Sequence, residues 1–298
     1  MRSRRAILGL LLGTLMGWSA VTPIAVGAEP PQTQTDRSLA PLAATGTAPA
    51  TALTVPGTAI GDLRLTILFD NTAIDPRLRS GWGFAALVEY RGHALLFDTG
   101  ADGSILLDNM RQLNVEPQSI EAVIISHEHS DHTGGLQALL DTGIRPTVYA
   151  PSAFSNTFQE RVRTRTTLVE ITEALTILPG IHLTRPIGST VEQALAVETR
   201  DGTVVMTGCA HPGIADMVRQ AQAVVPGKVS LLVGGFHLLD IADKNRLISI
   251  IAEVRQLGVE GVLPTHCTGT VAIALFRTEF GGSYRDGGVG RTVVLPAK

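Results

Sequence analysis

Apolar positions along this chain follow two periods. Runs of mostly apolar residues read as strands over Asp62–Asp70, Phe84–Tyr90 and Ala94–Asp98, the last two flanking an Arg91-Gly92-His93 hairpin turn. Further strands are expected over 121–126, Thr147–Ala150, within 166–185, over Val229–Val233 and Val259–Pro264, and over Arg291–Leu295 at the end. Ala194–Glu198 and Thr203–Thr207 form a second hairpin around Asp201-Gly202. Apolar positions at Ile105, Leu106, Met110 and Leu113 predict a helix over 102–112. Other helices are expected over 133–141, Ile214–Val224, Lys244–Leu257 and Val271–Thr278. Hairpins early and strand–helix units later predict an α/β (α+β) fold, mixed sheets with helices outside.

Residues able to do chemistry recur where these strands end. Asp98 closes Leu95-Leu-Phe-Asp98, and Cys209 and His211 follow Val204-Val-Met-Thr-Gly. His237 follows Leu231-Leu-Val-Gly-Gly-Phe, and His266 follows Val262-Leu-Pro-Thr. The densest case is Ser126-His127-Glu128-His129-Ser130-Asp131-His132, between a buried strand and a helix start. Such a strand end throws His127 and His129 to one side and leaves Asp131 and His132 at the next turn. That set suits one metal ion or two, because neutral imidazole binds zinc, iron, nickel or copper and the carboxylate adds a harder ligand. A solvated loop rich in histidine by chance is the alternative. Of the eight histidines, all but His93 and His182 fall in strand-end motifs, which speaks against it. His182 stands alone on an expected strand and reads as structural.

Composition narrows the partners. The chain carries a net charge of −3, and removing Arg2, Arg4 and Arg5 takes it to −6. A mildly acidic protein without basic runs gives no reason to expect nucleic acid, so a small-molecule substrate is the expected partner. The oligomeric state stays open. Residues 1–28 have the order of an export signal: basic Arg2–Arg5, apolar Ala6–Ala20, then small Val26-Gly27-Ala28. Ser3-Arg4-Arg5-Ala6-Ile7-Leu8 resembles a twin-arginine signal, with an ordinary secretion signal or an uncleaved anchor as alternatives. The expected location is periplasmic or extracellular, with no membrane contact beyond that segment. Residues 29–60, rich in Ala, Pro and Thr, read as a linker, and 61–298 as the folded domain. The two cysteines, Cys209 and Cys267, could pair as a disulfide in an oxidising compartment. Both sit inside histidine motifs, so a metal role competes.

The order Asp98, then His127-x-His129-x-Asp131-His132, then a late strand-end His266 resembles the metallo-β-lactamase superfamily. The blocks Thr-Gly-Cys209-Ala-His211-Pro-Gly-Ile, Gly-Gly-Phe-His237-Leu and Thr-His266-Cys-Thr-Gly resemble a narrower branch. That branch is named for dihydropterin-6-methyl-(ribofuranosyl)aminobenzene-phosphate synthase. The resemblance covers about residues 61–298 and implies an αββα sandwich with a metal site along one edge of the two sheets. It implies two divalent ions, zinc foremost, with iron or manganese as alternatives. His127 and His129 then belong to one ion, and Asp131, His132 and His266 to the other. Asp98 orients ligands without binding metal.

Many relatives supply a further histidine and then a bridging aspartate; here Cys209 stands where that aspartate is expected. His211 is expected to complete the first site and Cys209 to lie at or beside the second, a thiolate being a strong soft ligand. Asp131 and His237 are the candidate catalytic groups, Asp131 to orient water and His237 to bind substrate or donate a proton. The implied activity is an exported metal-dependent hydrolase, its metal-activated water attacking an ester, lactone, amide or phosphoester. The alternatives are a synthase-like transferase, a β-lactamase, and a non-enzymatic metal-binding domain.

Overall fold

The computed structural model describes residues 62–298; the export-signal and linker readings of residues 1–60 lie outside them. Strands β1 (Asp62–Phe69), β2 (Ala85–Tyr90) and β3 (His93–Phe97) form an antiparallel meander. Helix α1 (Gly103–Gln112) leads to β4 (Ala122–Ile124), α2 (Ser130–Thr133), α3 (Leu136–Asp141), β5 (Thr147–Pro151), α4 (Asn156–Arg163) and β6 (Leu168–Ile171). The chain then forms β7 (Leu175–Leu178), β8 (Ile181–Leu183), β9 (Leu195–Thr199) and β10 (Gly202–Thr207). It continues through α5 (Ile214–Val224), β11 (Val229–Gly235), α6 (Lys244–Gln256), β12 (Val262–Thr265) and α7 (Thr270–Phe280) to β13 (Thr292–Pro296). One sheet has the order β13-β1-β2-β3-β4-β5-β6 and the other β12-β11-β10-β9-β8-β7. Among the described residues, no helix is long and apolar enough to cross a membrane.

Strand periodicity sorts the apolar side chains into three layers of core. Leu63, Val88, Leu95 and Phe97 of the first sheet meet Val197, Val204, Met206 and Val233 of the second in the central layer. Alternate residues point outward. Leu87, Leu96 and Val123 pack with Leu106, Met110, Leu139 and Phe158 of α1, α3 and α4. Val205 and Leu232 pack with Met217, Val218, Leu247, Ile251 and Phe276 of α5, α6 and α7. The result is helix, sheet, sheet, helix, the αββα sandwich.

Three local details depart from the sequence reading. The strand expected over 121–126 is shorter, because Ser126 turns its N–H from the ladder to Asp98 Oδ1 at 2.7 Å. The helix expected over 133–141 begins earlier and breaks at Gly134-Gly135. A Cβ on Gly135 would fall 2.1 Å from the Thr99 carbonyl oxygen, so a glycine is required where the chain crosses the end of β3. Helix α4 was unread, since its segment is mostly polar. Its signals are Phe154, Phe158 and Val162 four residues apart and the Ser155 N-cap, whose Oγ accepts from Phe158 N at 3.2 Å.

Strands β3 and β4 run parallel in one sheet, and β10, β11 and β12 run parallel in the other. Their C-terminal ends lie at one edge of the sandwich, where loops from a rigid frame can carry chemistry.

Candidate metal centre

The first sheet supplies a contiguous loop and the residue that sets it. Asp98 is fully buried at the end of β3. Its Oδ1 accepts from Ser126 N, and its Oδ2 from Ser126 Oγ at 2.7 Å, with His132 Nδ1 also 2.7 Å away. Facing a carboxylate, His132 Nδ1 is the donor, which leaves Nε2 with a lone pair aimed inward. Ser126 Oγ, its own proton given to Asp98, accepts from His127 Nδ1 at 2.9 Å and frees His127 Nε2 in the same way. One buried carboxylate thus fixes the tautomers of two histidines.

The second sheet supplies separated residues. His266 Nδ1 stands 3.0 Å from Asn71 Oδ1, which again frees Nε2. Cys209 Sγ lies 3.3 Å from His132 Nε2, and His211 Nε2 lies 3.2 Å from His127 Nε2. The sheets approach this closely because residue 208 is glycine: a Cβ there would lie 2.1 Å from Ser126 Oγ and 2.9 Å from Asp98 Oδ2.

Two groups of ligand atoms result, each with its atoms within 4.8 Å of one another. One is His127, His129 and His211; the other is Asp131, His132, Cys209 and His266. A third, overlapping group joins Cys209 and His211 to His237, whose exposed ring is centred 4.2 Å from that of His211. His182 joins none of them; it bridges Thr176 Oγ1 and Glu198 Oε1 at 2.9 Å each. His93 pairs with Glu121 at the surface. Both cysteines are free thiols, and Cys267 Sγ donates to the Cys209 carbonyl oxygen at 3.7 Å, so the disulfide reading does not describe this structure.

The electrostatics of His127, His211 and Asp131 suit metal ligation, whereas His132, beside Asp98, and the buried Cys209 thiol are both shifted upward. Burial, reinforced by the charges of His132, His211 and His129, holds His127 far below the usual imidazole range. Burial and His237 pull His211 down to about 4. Burial acts to raise the Asp131 carboxyl, but the close approach of His266 and the charge of His132 outweigh it, leaving Asp131 well below the usual carboxylate range. Neutral imidazoles and an ionised carboxylate are the forms that bind metal.

The match to known proteins agrees with this architecture. Residues 83–266 match the family model described as the metallo-beta-lactamase superfamily. The chain belongs to the metallo-β-lactamase superfamily. It is 30% identical over 266 residues to the Methanocaldococcus jannaschii 7,8-dihydropterin-6-methyl-4-(beta-D-ribofuranosyl)-aminobenzene-5'-phosphate synthase, covering 72% of this chain and 90% of that protein. The solved structure of Tm1679, described as a metal-dependent hydrolase of the beta-lactamase superfamily, superposes with a TM-score of 0.65 at 28% identity, covering 78% of this chain and 98% of that one. The solved structure of the short form of human tRNase Z shares the fold, with a TM-score of 0.55 at 15% identity, covering 78% of this chain and 99% of that one.

In this metallo-β-lactamase-fold protein the residues present fit divalent ions. His266 Nε2 is buried without a hydrogen-bond partner, although Asp131 Oδ2 lies 3.2 Å away out of hydrogen-bond alignment. An orphaned imidazole lone pair facing a carboxylate and a thiol is costly unless a cation sits among them. Four of the six non-glycine residues with positive φ among the described residues stand at this edge: Asp98 at 55°, Ala210 at 59°, His237 at 51° and His266 at 47°. Each such backbone costs roughly 1–3 kcal/mol, held in place by the surrounding structure.

Sequence reasoning missed the residues that hold this centre. Glu192 is fully buried and accepts from four successive backbone N–H groups of residues 208–211. Asp70 Oδ1 accepts from His266 N at 3.0 Å, and burial raises its carboxyl to about 6. Glu128 turns away from the ligand groups to accept from Ser155 N at 2.5 Å, tying the loop to α4. Trp82, 52% exposed, lies over His266 with ring centres 4.9 Å apart. Asp70-Asn71 at a strand end was a readable signal; Glu192, with no histidine or cysteine beside it, offered none.

Proposed function

We propose that this protein is an exported metal-dependent hydrolase acting on an ester, lactone, amide or phosphoester of a small molecule. The observation that carries the reading is the pair of ligand-atom groups meeting across the two sheets. His127, His129 and His211 would hold one ion, and Asp131, His132, Cys209 and His266 the other. Three imidazoles beside a thiolate-containing set suit zinc, with iron or manganese as alternatives. Bound ions of this kind activate water at neutral pH and polarise the bond to be cleaved.

The chain's own residues do the rest. Asp98, through Ser126 and directly, keeps His127 and His132 in the ligating tautomer. Asp131, partly exposed to the cleft, is placed to orient the attacking water. His237, exposed beside His211, is placed to pass a proton to the leaving group. Export is read from residues 1–28 and is tested by finding the shortened chain in the periplasmic or secreted fraction.

Metal analysis of the purified mature protein, followed by a screen of phosphoesters, lactones and β-lactams with that metal, tests the reading. Bound divalent metal and turnover that vanishes on chelation are expected. A metal-free protein, or activity that survives exhaustive metal removal, overturns it. A synthase-like transfer is the second reading, favoured by the 30% identity to the M. jannaschii synthase. It predicts turnover only when a second, acceptor substrate is supplied.

A further inference from the structure

We infer that Glu192 is a positioning residue that sets how far Cys209 and His211 reach toward the metal ions. The inference rests on the metal-binding reading above. Glu192 belongs to none of the ligand groups, yet it is fully buried beside them. Its Oε1 accepts from Gly208 N at 3.1 Å, Cys209 N at 2.9 Å and Ala210 N at 2.8 Å. Its Oε2 accepts from His211 N at 2.9 Å. Four consecutive amides converge on one carboxylate because Ala210 adopts φ 59°, which bends the loop around it. Backbone bonds also anchor the loop, Gly235 N donating to the Gly208 carbonyl oxygen at 3.1 Å and Gly213 N to that of Ala210 at 2.9 Å, but Glu192 is the side chain that gathers all four N–H groups, and the curve sends Cys209 to one ligand group and His211 to the other.

The next residue grips the opposite side. Gln193 N donates to the Ser126 carbonyl oxygen at 3.0 Å, and its Nε2 donates to the Ile125 carbonyl oxygen at 2.9 Å. Adjacent residues therefore hold the Cys209–His211 loop and the residue before His127. The gap across which His127 faces His211 is fixed by this two-residue brace.

The test compares zinc affinity of the full chain, by chelator competition on the metal-free protein, with the cobalt(II)–thiolate absorption that reports Cys209 ligation. Glu192→Gln keeps the size but offers one acceptor oxygen and points an NH₂ at backbone donors. It is expected to lower zinc affinity by about 10–100-fold and to weaken the cobalt–thiolate band. Glu192→Asp, which keeps the carboxylate but shortens its reach, is expected to recover part of both. A purely structural role would lower the folding stability of Glu192→Gln while leaving zinc affinity of the folded protein and the cobalt band unchanged. Zinc affinity within twofold of the parent, with a full band, overturns the inference. Should Glu192→Gln fail to fold, Glu192→Asp against the parent gives the same two outcomes. If the parent itself takes up no zinc, the metal-binding reading falls and the inference with it. If parent and variant bind alike, only the role of Glu192 falls.

Discussion

Loop 126–132 places four candidate ligands within six residues, while the second sheet brings Cys209 and His211 from the end of β10 and His266 from the end of β12. The first loop is short, and its geometry follows from local spacing plus one buried carboxylate, Asp98. The second set depends on tertiary braces: Glu192 under residues 208–211, and Asp70 and Asn71 under His266. Backbone strain divides unevenly too, with Ala210, His237 and His266 in the left-handed region on the second side and Asp98 on the first. The contrast teaches that a candidate metal centre can be half motif and half architecture.

The largest expected effect treats both sides alike. Exhaustive chelation should lower turnover by about a thousandfold or more, ~4 kcal/mol of barrier, and zinc should restore it. Recovery without added metal would break the premise of the comparison.

Asp98→Ala comes next. It leaves Ser126 N, Ser126 Oγ and His132 Nδ1 without their buried partner. A loss of about 2–4 kcal/mol in folding stability is expected, with metal affinity down about 10–100-fold. Denaturant unfolding and zinc titration measure the two. A change confined to metal affinity would mean that Asp98 orients ligands without holding the loop.

Cys209→Ser should act on one ligand group only. A hydroxyl is a poor substitute for a thiolate, so zinc bound by Asp131, His132 and His266 should weaken about tenfold. The ion held by His127, His129 and His211 should remain, giving one tight and one weak equivalent by titration. Loss of both ions together would show that the two groups work as one unit.

The smallest effect is a pH dependence of the chelated protein. An unfolded imidazole takes up its proton near 6.5, whereas folded His211 resists until about 4. Between those values the unfolded chain binds the extra proton, so stability falls as pH drops through that window. His211→Asn lacks this proton. The parent should therefore lose about 1 kcal/mol relative to the variant between pH 7 and pH 5, a figure reduced for a half-exposed ring. Equal slopes in denaturant unfolding would remove the electrostatic part of the contrast.

The same contrast explains what could be read before the structure. The strands and most helices were legible because burial on two faces imprints period on the sequence, as in Leu63, Leu65 and Ile67 facing the central layer. The six-residue motif was legible because its residue types are scarce and close together. The second-sheet residues were legible as strand-end motifs and their division between two ions was read from resemblance, whereas their mutual distances are a product of the fold. Glu192 was invisible: its partners are backbone N–H groups, and every residue has one. Helix α4 is illegible because Phe158 and Val162 are its only apolar residues and its third buried residue is the polar Gln159, whose Nε2 donates to the Ser152 and Phe154 carbonyl oxygens.

Trp82 lies over His266, and the chain's other tryptophan, Trp18, falls within the expected export signal. In a chain shortened by residues 1–28, all indole emission would come from a ring 4.9 Å from an imidazole of the centre. Such a shortened chain would carry its own optical gauge. Cobalt(II) bound at His266 is expected to quench the emission, and zinc, which has no absorption to accept the energy, to shift it without quenching. Occupancy of that one position can be followed in real time, in a turning-over sample, without labelling the chain.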